Sequence, residues 1–177
     1  MILEYKIRPG AKAPDRANPS DAGLDVFYCP SDPKVSVVSV MPGENKLLPT
    51  GLKFGVPHGY MLQVCNRSSM GAKRSLVVGA HIIDSGYDGE VFIDLHNIGT
   101  EEQFVATGDK IAQLVLVPVV HFRPRLVEND SLYGEDISIS SRGDGALGST
   151  NKTTVSKKAV NDERLAEVLK DWMPNGW

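Results

Sequence analysis

The chain has 177 residues and a formal net charge of −3, so it is long enough for one domain with a full hydrophobic core and short for two. No block of lysine and arginine is longer than Lys157-Lys158, which argues against a nucleic acid polymer as the main partner. No run of about eighteen apolar residues is present that could span a membrane. The two cysteines, Cys29 and Cys65, are expected to be free thiols in a reducing cytoplasm.

The chain begins with a predicted strand, because Glu4 and Lys6 interrupt the apolar residues that a signal peptide would need. Further short runs, rich in β-branched residues or alternating in polarity, are separated by Gly, Pro, Asn and Asp. The most apolar run is expected to form a central strand, with Pro118 marking an edge or a bulge. No helical periodicity of ten or more residues precedes the C-terminal tail. The predicted strands are 34–41, 46–50, 52–56, 60–65, 90–96 and 111–120.

This pattern predicts an all-β fold, either a barrel or a double-sheet jelly roll. The composition then changes twice near the C-terminus. Residues 129–158 are dominated by Gly, Ser, Asp and Thr, which indicates a mobile arm. A short amphipathic helix follows, because apolar residues recur at helical spacing: Leu165, Val168, Leu169 and Trp172. The predicted organisation is a β-barrel core at 1–128, an arm at 129–150, and a linker with a C-terminal helix at 151–177.

Two polar segments of the core have the chemistry of an anion site. Asp25 lies in a glycine-kinked turn entering a strand, where it is either a turn former or a carboxylate that orients water on Mg²⁺. Arg67, Ser68 and Ser69 follow the predicted strand 60–65. A guanidinium, two hydroxyls and the amides of a glycine-containing turn can bind a phosphate. The alternative for this segment is a solvated loop or a helix N-cap.

A second pair of segments has residues suited to activating water and holding a ring. Asp84 and Tyr87 lie in a predicted hairpin that contains two glycines. The carboxylate can act as a general base and the tyrosine can form a flat floor for a sugar, unless both are ordinary turn residues. Gln113 interrupts the most apolar strand, so it lies at a barrel rim or hydrogen-bonds to a specific partner.

The fifth segment lies in the predicted arm. Arg142-Gly-Asp-Gly-Ala-Leu-Gly-Ser-Thr150 combines one cation, three glycines and two hydroxyls, which is the composition of a lid over a polyphosphate. A plain linker is the alternative. No Walker A lysine, Cys/His metal spacing or nucleophile elbow occurs in the sequence.

Together and in this order, the five segments resemble the five motifs of the trimeric deoxyuridine triphosphate nucleotidohydrolases (dUTPases), from about residue 2 to residue 150. The resemblance implies a homotrimer of distorted jelly-roll subunits with three sites at subunit interfaces. It also implies hydrolysis of dUTP to dUMP and pyrophosphate with Mg²⁺. The matching segments are Asp21-Ala-Gly-Leu-Asp25, Arg67-Ser-Ser-Met-Gly-Ala-Lys73, Ile83-Asp-Ser-Gly-Tyr-Asp-Gly-Glu90, Gly108-Asp-Lys-Ile-Ala-Gln-Leu114 and Arg142–Thr150.

The resemblance also implies a role for each site residue. Asp84 would be the base that activates water for attack on the α-phosphorus. Asp25 would contact Mg²⁺ through water, in the outer coordination shell, and Gln113 would contact metal-bound waters or phosphates. Tyr87 would lie under the deoxyribose and exclude a 2′-hydroxyl. The other implied substrate-binding residues are Arg67, Ser68 and Ser69 for phosphates, Val78, Ile82, Ile83 and Phe92 for the base, and Arg142, Leu147, Gly148 and Ser149 from a neighbouring subunit's arm.

Four positions depart from the pattern of the dUTPases. Ser69 and His81 replace glycines, and Asp88 stands where arginine is common. Leu147 occupies the position where the arm usually carries a phenylalanine that stacks on uracil. Loss of that aromatic contact is expected to cost about 1 kcal/mol of stacking.

Two alternatives remain open at this point. The dCTP deaminases of the same superfamily share Arg-Ser-Ser and an Ala-His pair, here Ala80-His81, and Asp94 falls where they place a catalytic Glu. A deaminase or a bifunctional deaminase and dUTPase is therefore possible, although Lys73 and the arm fit the dUTPases better. The other alternative is a catalytically silent relative that binds a protein partner in a nucleotide-dependent way. The tail at 151–177 would either pack on the barrel or bind a partner.

Overall fold

The computed structural model describes residues 1–128 and Leu132. The chain divides into two compact units, Met1–Arg123 and Pro124–Trp177. The predicted C-terminal helix, and the arm apart from Leu132, lie outside the described residues. No helix in the described part is both long enough and apolar enough to cross a bilayer.

The first unit is built from eleven strands and one short helix in the described residues. The fold is all-β and jelly-roll-like, as predicted from the alternating runs. In chain order the elements are β1 (Glu4–Ile7), β2 (Leu24–Phe27), β3 (Val37–Val40), β4 (Asn45–Pro49), β5 (Leu52–Gly55), β6 (Tyr60–Cys65), α1 (Ser68–Arg74), β7 (Leu76–Val78), β8 (Ile82–Ile83), β9 (Phe92–Asn97), β10 (Gln103–Ala106) and β11 (Lys110–Pro118).

The strands form four antiparallel sheets around one core. The largest has the order β2-β11-β6-β8, the next has the order β4-β9-β7, and β1-β5 and β10-β3 are two-stranded. Strand β11 lies between β2 and β6, so the prediction of a central strand is confirmed. Pro118 was expected to mark an edge or a bulge, and it marks an edge: it ends β11 opposite Tyr60, beyond Leu114, the last residue of β11 that pairs with β2. The bulge lies elsewhere, because the register shift falls between Lys110 and Ala112.

The core follows the period of two that strands impose on their side chains. On β6, Leu62 and Val64 are buried between less buried neighbours, and on β9 Ile93 and Leu95 alternate in the same way. Each of these side chains is at most 3% exposed, and complete burial of such a side chain contributes roughly 1.5–3 kcal/mol. Alternating burial therefore fixes which face of each strand meets the solvent and the site.

One predicted strand is shorter than expected. Residues 34–41 were expected to be extended, but β3 covers only Val37–Val40. The Asp32 carboxylate accepts the backbone N–H of Lys34 at 2.9 Å, and the Asp32 carbonyl accepts that of Val35 at 3.0 Å. An aspartate that closes a turn in this way competes with strand pairing.

The segment expected to form an anion-binding turn is a helix instead. Helix α1 begins directly after Arg67, which is its N-cap residue and makes no side-chain capping bond. Met70 is its one buried residue, and Arg74 fastens its last turn by donating to Gln103 Oε1 at 3.1 Å. The helix ends at Ser75, which has a left-handed φ of 53°.

The prediction of a hairpin around Asp84 is also wrong. Strand β8 pairs with β6, while β7 pairs with β9 in the other sheet. The turn that contains Asp84 therefore crosses from one sheet to another and does not join two paired strands. Cys29 and Cys65 are both free, which confirms the prediction of unpaired thiols.

A buried asparagine ties the end of β9 to the end of β3 and to the loop that follows β9. Asn97 is 1% exposed, and its amide donates to the carbonyls of Val40 at 2.9 Å and Glu101 at 2.7 Å. Its side-chain oxygen accepts the N–H of Gly99 at 2.9 Å. Every polar atom of this side chain is thus paired inside the protein.

We predict that Asn97→Ala lowers the free energy of unfolding by about 2–3 kcal/mol, because two carbonyls and one N–H lose their buried partner. Urea unfolding at one fixed protein concentration measures the change. Asn18→Ala is the control, since the Asn18 amide contacts only the exposed Asp21 carboxylate, and it is expected to change stability by at most about 0.5 kcal/mol. Equal effects of the two substitutions would contradict the prediction.

Candidate active site

The first part of the site is a polar cleft of about 190 Å³, here called the cation cleft. Asp25 on β2 lies directly opposite Gln113 on β11. A Cβ on Gly23 would lie 2.7 Å from Gln113 Oε1 and 3.1 Å from Gln113 Cβ, so a larger residue at position 23 would displace the glutamine side chain. The lining residues are Ala17, Asp21, Gly23, Asp25, Arg67, Ser68 and Gln113.

A carboxylate shared by two cations organises this cleft. Arg67 Nε donates to Asp25 Oδ1 at 2.8 Å, and Lys110 Nζ donates to Asp25 Oδ2 at 2.7 Å. The Asp25 side chain is 14% exposed, so the pairs are partly desolvated and stronger than surface pairs. Gln113 Nε2 donates to the carbonyl of Asn66 at 2.9 Å, which is the specific partner expected for this residue.

The guanidinium of Arg67 is held in one orientation by its hydrogen bonds, which do not involve all of its donor nitrogens. Besides Asp25, it makes longer contacts of 3.4 Å from Nη1 to Ser69 Oγ and to the carbonyl of Lys110. Ser68 and Ser69 are exposed in the first turn of α1. Within the described residues Arg67 Nη2 has no hydrogen-bond partner, so the cleft presents a charged donor and two hydroxyls to an anion.

The second part of the site is a pocket of about 210 Å³, here called the Asp84 pocket. Asp84 is exposed, and no group in the described part of the chain hydrogen-bonds to its carboxylate. Its carbonyl accepts the N–H of Tyr87 at 3.3 Å, which closes the turn. The lining residues are Ile82, Ile83, Asp84, Tyr87, Glu90, Val91 and Phe92.

Tyr87 is held across this turn by its hydroxyl and by a glycine. The hydroxyl donates to the carbonyl of Glu90 at 2.9 Å. A Cβ on Gly89 would lie 2.1 Å from the Tyr87 hydroxyl oxygen, so a larger residue at position 89 would displace the ring. The ring remains 48% exposed and offers a flat apolar surface beside the Asp84 carboxylate.

The two parts lie at opposite ends of strand β6. Ile83 pairs with Leu62, which places Asp84 beside Met61, whereas Arg67 follows the other end of the strand. Arg67 lies six residues along the chain from Met61, and at about 3.3 Å per residue this is roughly 20 Å. The cation cleft and the Asp84 pocket share no lining residue. One chain therefore does not bring Arg67 and Asp84 to the same phosphate.

The structure groups most of the predicted site residues into these two parts. Val78 stands apart, because its side chain is 5% exposed in the core and its N–H donates to Asn66 Oδ1 at 2.6 Å. Sequence reasoning missed Asn66, whose side chain and carbonyl hold Val78 and Gln113, and it missed Lys110. Lys110 could have been found, because it lies in Gly108-Asp-Lys-Ile-Ala-Gln-Leu114, the same matched segment from which Gln113 was predicted as a site residue. Arg142, Leu147, Gly148 and Ser149 lie outside the described residues.

The donors present fit Mg²⁺ bound mainly through water. The described residues contain no group of three or more His, Cys, Asp and Glu side chains that could hold a metal ion. A carboxylate has about four lone-pair positions, and Asp25 uses one on each oxygen for Arg67 and Lys110. The remaining positions can accept hydrogen bonds from metal-bound waters, and Mg²⁺ usually retains several waters.

Asp94, the position relevant to a deaminase, belongs to neither part. It lies on β9, where Asn45 Nδ2 donates to Oδ1 at 2.7 Å and His96 Nε2 lies 2.9 Å from Oδ2. The hydrogen bond from Asn45, followed by the contact with His96, lowers the pKa of the Asp94 carboxyl despite its partial burial. A carboxylate held in its ionised form is a poor proton donor near neutral pH.

The comparisons with known proteins agree with this geometry. The family model for dUTPase matches residues 10–150. The chain belongs to the dUTPase family. The deoxyuridine 5′-triphosphate nucleotidohydrolase of Hahella chejuensis is 35% identical over 152 residues, which cover 84% of this chain and 93% of the relative. Its counterpart in Laribacter hongkongensis is 37% identical over 142 residues, which cover 78% of this chain and 88% of that protein.

Solved dUTPase structures have the same fold. A mutant dUTPase of Staphylococcus bacteriophage 80alpha, in a structure with dUpNHpp, has a TM-score of 0.70 and 26% identity and covers 84% of this chain and 98% of that one. A mutant dUTPase from phage phi11 of S. aureus, described with a structural Mg(II) ion, has a TM-score of 0.65 and 25% identity. The match covers 73% of this chain and 99% of that one. The predicted family and fold are confirmed.

We predict that Asn45→Ala destabilises this dUTPase by about 1 kcal/mol at pH 7, because the ionised Asp94 loses its strongest hydrogen bond. A carboxyl whose folded pKa is lowered adds stability above its unfolded pKa of about 3.9. That stability is lost as the pH falls through the folded pKa. In urea unfolding, the difference in the free energy of unfolding between Asn45→Ala and wild type should therefore shrink as the pH is lowered from about 7 to about 3. A difference that does not change with pH would contradict the assignment.

Proposed function

We propose that this member of the dUTPase family hydrolyses dUTP to dUMP and pyrophosphate. The observation that carries the proposal is an exposed carboxylate beside a flat aromatic ring, combined with a separate cleft that presents an oriented guanidinium. The named relatives are dUTP nucleotidohydrolases, and the phage 80alpha dUTPase is described with dUpNHpp. These findings support dUTP as the substrate.

In the proposed reaction Asp84 is the general base. Its carboxylate accepts a proton from water, and the resulting hydroxide forms a bond to the α-phosphorus. The bond from the α-phosphorus to the oxygen bridging to the β-phosphorus breaks, and pyrophosphate leaves. Phosphoryl chemistry needs an aligned nucleophile and charge neutralisation more than covalent catalysis. The carboxylate of Asp84, which accepts no hydrogen bond from the described residues, would supply the first requirement.

The cation cleft supplies the second requirement. Arg67 and the hydroxyls of Ser68 and Ser69 would bind phosphate oxygens. Gln113 and Asp25 would hydrogen-bond to waters of the Mg²⁺ ion that accompanies the nucleotide. When bound, Mg²⁺ neutralises charge on the phosphates. The arm residues Arg142, Leu147, Gly148 and Ser149 remain predicted contacts to the nucleotide.

The Asp84 pocket would hold the nucleoside. Tyr87 would lie under the deoxyribose, where its ring leaves no room for a 2′-hydroxyl. Ile82, Ile83 and Phe92 line the pocket and would contact the base. Val78 would take part only through its backbone carbonyl, because its side chain is buried and its N–H is bonded to Asn66.

A complete site needs two copies of the chain, which is the reason to propose a homotrimer with shared sites. About 20 Å of strand separates Arg67 from Asp84, so the triphosphate must meet Arg67 of one copy and Asp84 of another. Large apolar side chains on the outer surface support such an assembly. Ile82 is 61% exposed, Leu47 is 63% exposed and Phe92 is 41% exposed.

We predict that Asp84→Asn lowers the turnover of dUTP by at least about a hundredfold while nucleotide binding persists, as expected for a general base. Asp88→Asn is the matched control, because it removes the same charge four residues away, and its turnover should stay within about threefold of wild type. Release of pyrophosphate from dUTP and of ammonia from dCTP should be scored separately. Wild-type turnover in Asp84→Asn would exclude Asp84 as the base, and ammonia from dCTP would favour the deaminase.

We predict that inactive Arg67→Ala and Asp84→Asn chains complement each other when folded together in equal amounts. Random mixing gives each interfacial site an intact Arg67 in about half of cases and an intact Asp84 in about half, so roughly a quarter of wild-type activity should return. Each variant folded alone, and the two mixed without subunit exchange, are the controls. Absence of any recovery in confirmed mixed oligomers would contradict a shared site.

A further inference from the structure

Strand β11 contains a bulge that changes which side chain contacts Asp25 beside the cation cleft. Gln113 lies opposite Asp25 and Lys110 lies opposite Phe27, so three steps along β11 match two steps along β2. In a regular pairing Ile111 would lie opposite Phe27, on the face that carries Gln113 and Asp25. Instead Ile111 is 0% exposed in the core. The bulge thus lets Lys110 reach Asp25, which lines the cleft, and bulges re-aim side chains in this way beside active sites.

Lys110 holds Arg67 from two directions. Its ammonium lies 2.7 Å from Asp25 Oδ2, while Asp25 Oδ1 accepts Arg67 Nε at 2.8 Å. Its backbone carbonyl accepts Arg67 Nη1 at 3.4 Å. The hydrogen bond to Asp25 raises the pKa of the Lys110 ammonium, so the group stays charged over the physiological range.

The charges explain why a second cation is needed. Arg67 and Asp25 alone form a neutral pair, and a partly buried carboxylate beside the phosphates would oppose the binding of a polyanion. Lys110 neutralises that carboxylate without occupying the face of Arg67 that is open to the cleft. The Asp15 carboxylate offsets the positive charge of Lys110 only weakly, because Asp15 Oδ2 lies 3.6 Å from Lys110 Nζ and the Asp15 side chain is 58% exposed.

We propose that Lys110 is a positioning residue of the active site. Through Asp25 and its own carbonyl it fixes the direction of the Arg67 guanidinium that receives the triphosphate, and it offsets the Asp25 charge so that the group of three side chains stays net positive. This inference rests on the proposed hydrolysis of dUTP. It assigns to Asp25 a structural role toward Arg67 in addition to its predicted contact with metal-bound water.

The test is the steady-state kinetics of Lys110→Met with dUTP and Mg²⁺. Weaker uniform binding of phosphate should raise KM by about tenfold and leave kcat within about twofold of wild type. Lys110→Arg should keep KM within about threefold, since its charge can still reach Asp25. Lys12→Met is the matched control: Lys12 Nζ lies 5.3 Å from the centre of the Phe27 ring and Lys110 Nζ lies 5.6 Å from it, but Lys12 donates to the Gly108 carbonyl and not to Asp25.

A double-substitution experiment separates positioning from a general loss of structure. In an Asp25→Asn background, Lys110→Met should change KM by less than about twofold, because there is no longer a carboxylate charge to neutralise. Circular dichroism and Tm confirm folding of each variant, and Lys110→Gln replaces Lys110→Met if the latter does not fold.

The proposal is overturned by unchanged KM in Lys110→Met, by a fall in kcat alone, by an equal rise of KM in Lys12→Met, or by the same tenfold effect in the Asp25→Asn background. Wild-type protein that does not hydrolyse dUTP would instead overturn the proposed function. The two failures are therefore distinguishable in one set of assays.

Discussion

The pairing register of strand β6 is the constraint on which the rest of the site depends. Leu62 and Val64 point into the core, so β6 cannot slip by one residue without exposing both. That register fixes Ile83 opposite Leu62 and sets Asp84 and Arg67 at opposite ends of the strand. Burial of ordinary apolar side chains thereby decides that the proposed base and the proposed phosphate-binding cation belong to different parts of the molecule. The shared, multi-subunit site proposed here follows from this arrangement.

The cation cleft depends on a departure from regular strand pairing in β11. Strand β11 is anchored by the buried residues Ile111, Ala112 and Leu114. Ile111 and Ala112 both pack in the same core, although adjacent side chains of a regularly alternating strand point to opposite faces. The bulge resolves this conflict by turning Ile111 inward and Lys110 toward Asp25. The same apolar packing that holds β11 at the centre of its sheet thus supplies the cation that balances the carboxylate.

The sequence predicted those features whose signal is local. The strand at 60–65 was predicted with its observed bounds, because alternating residues and a preceding turn define it. Asp25 and Gln113, 88 residues apart in the chain, were placed in one site only through the resemblance to dUTPases, and the structure sets them directly opposite each other. Helix α1 was missed because seven residues with one buried side chain give no periodic signal.

Other features depended on contacts that no local pattern encodes. The two-residue strand β8 could pair with either neighbour, and its pairing with β6 is a long-range choice. The bulge was missed because residues 111–112 lie in a uniformly apolar run, where alternation carries no information about register. A lysine at the start of a strand is usually solvated, so only the 2.7 Å contact with Asp25 distinguishes Lys110.

The departures from the usual dUTPase pattern alter charge more than backbone shape. Among the described residues Ser75 is the one non-glycine with positive φ. His81, which replaces the usual glycine, and Asp88, which replaces the usual arginine, therefore do not adopt a left-handed backbone conformation. His81 is tied to β6, since its Nδ1 lies 2.9 Å from the Val64 carbonyl and its own carbonyl accepts the Val64 N–H at 2.8 Å. Ser69 fits within α1. In the described residues the segment that would read the base therefore contains no left-handed non-glycine residue, and Asp88 places a second carboxylate four residues from Asp84.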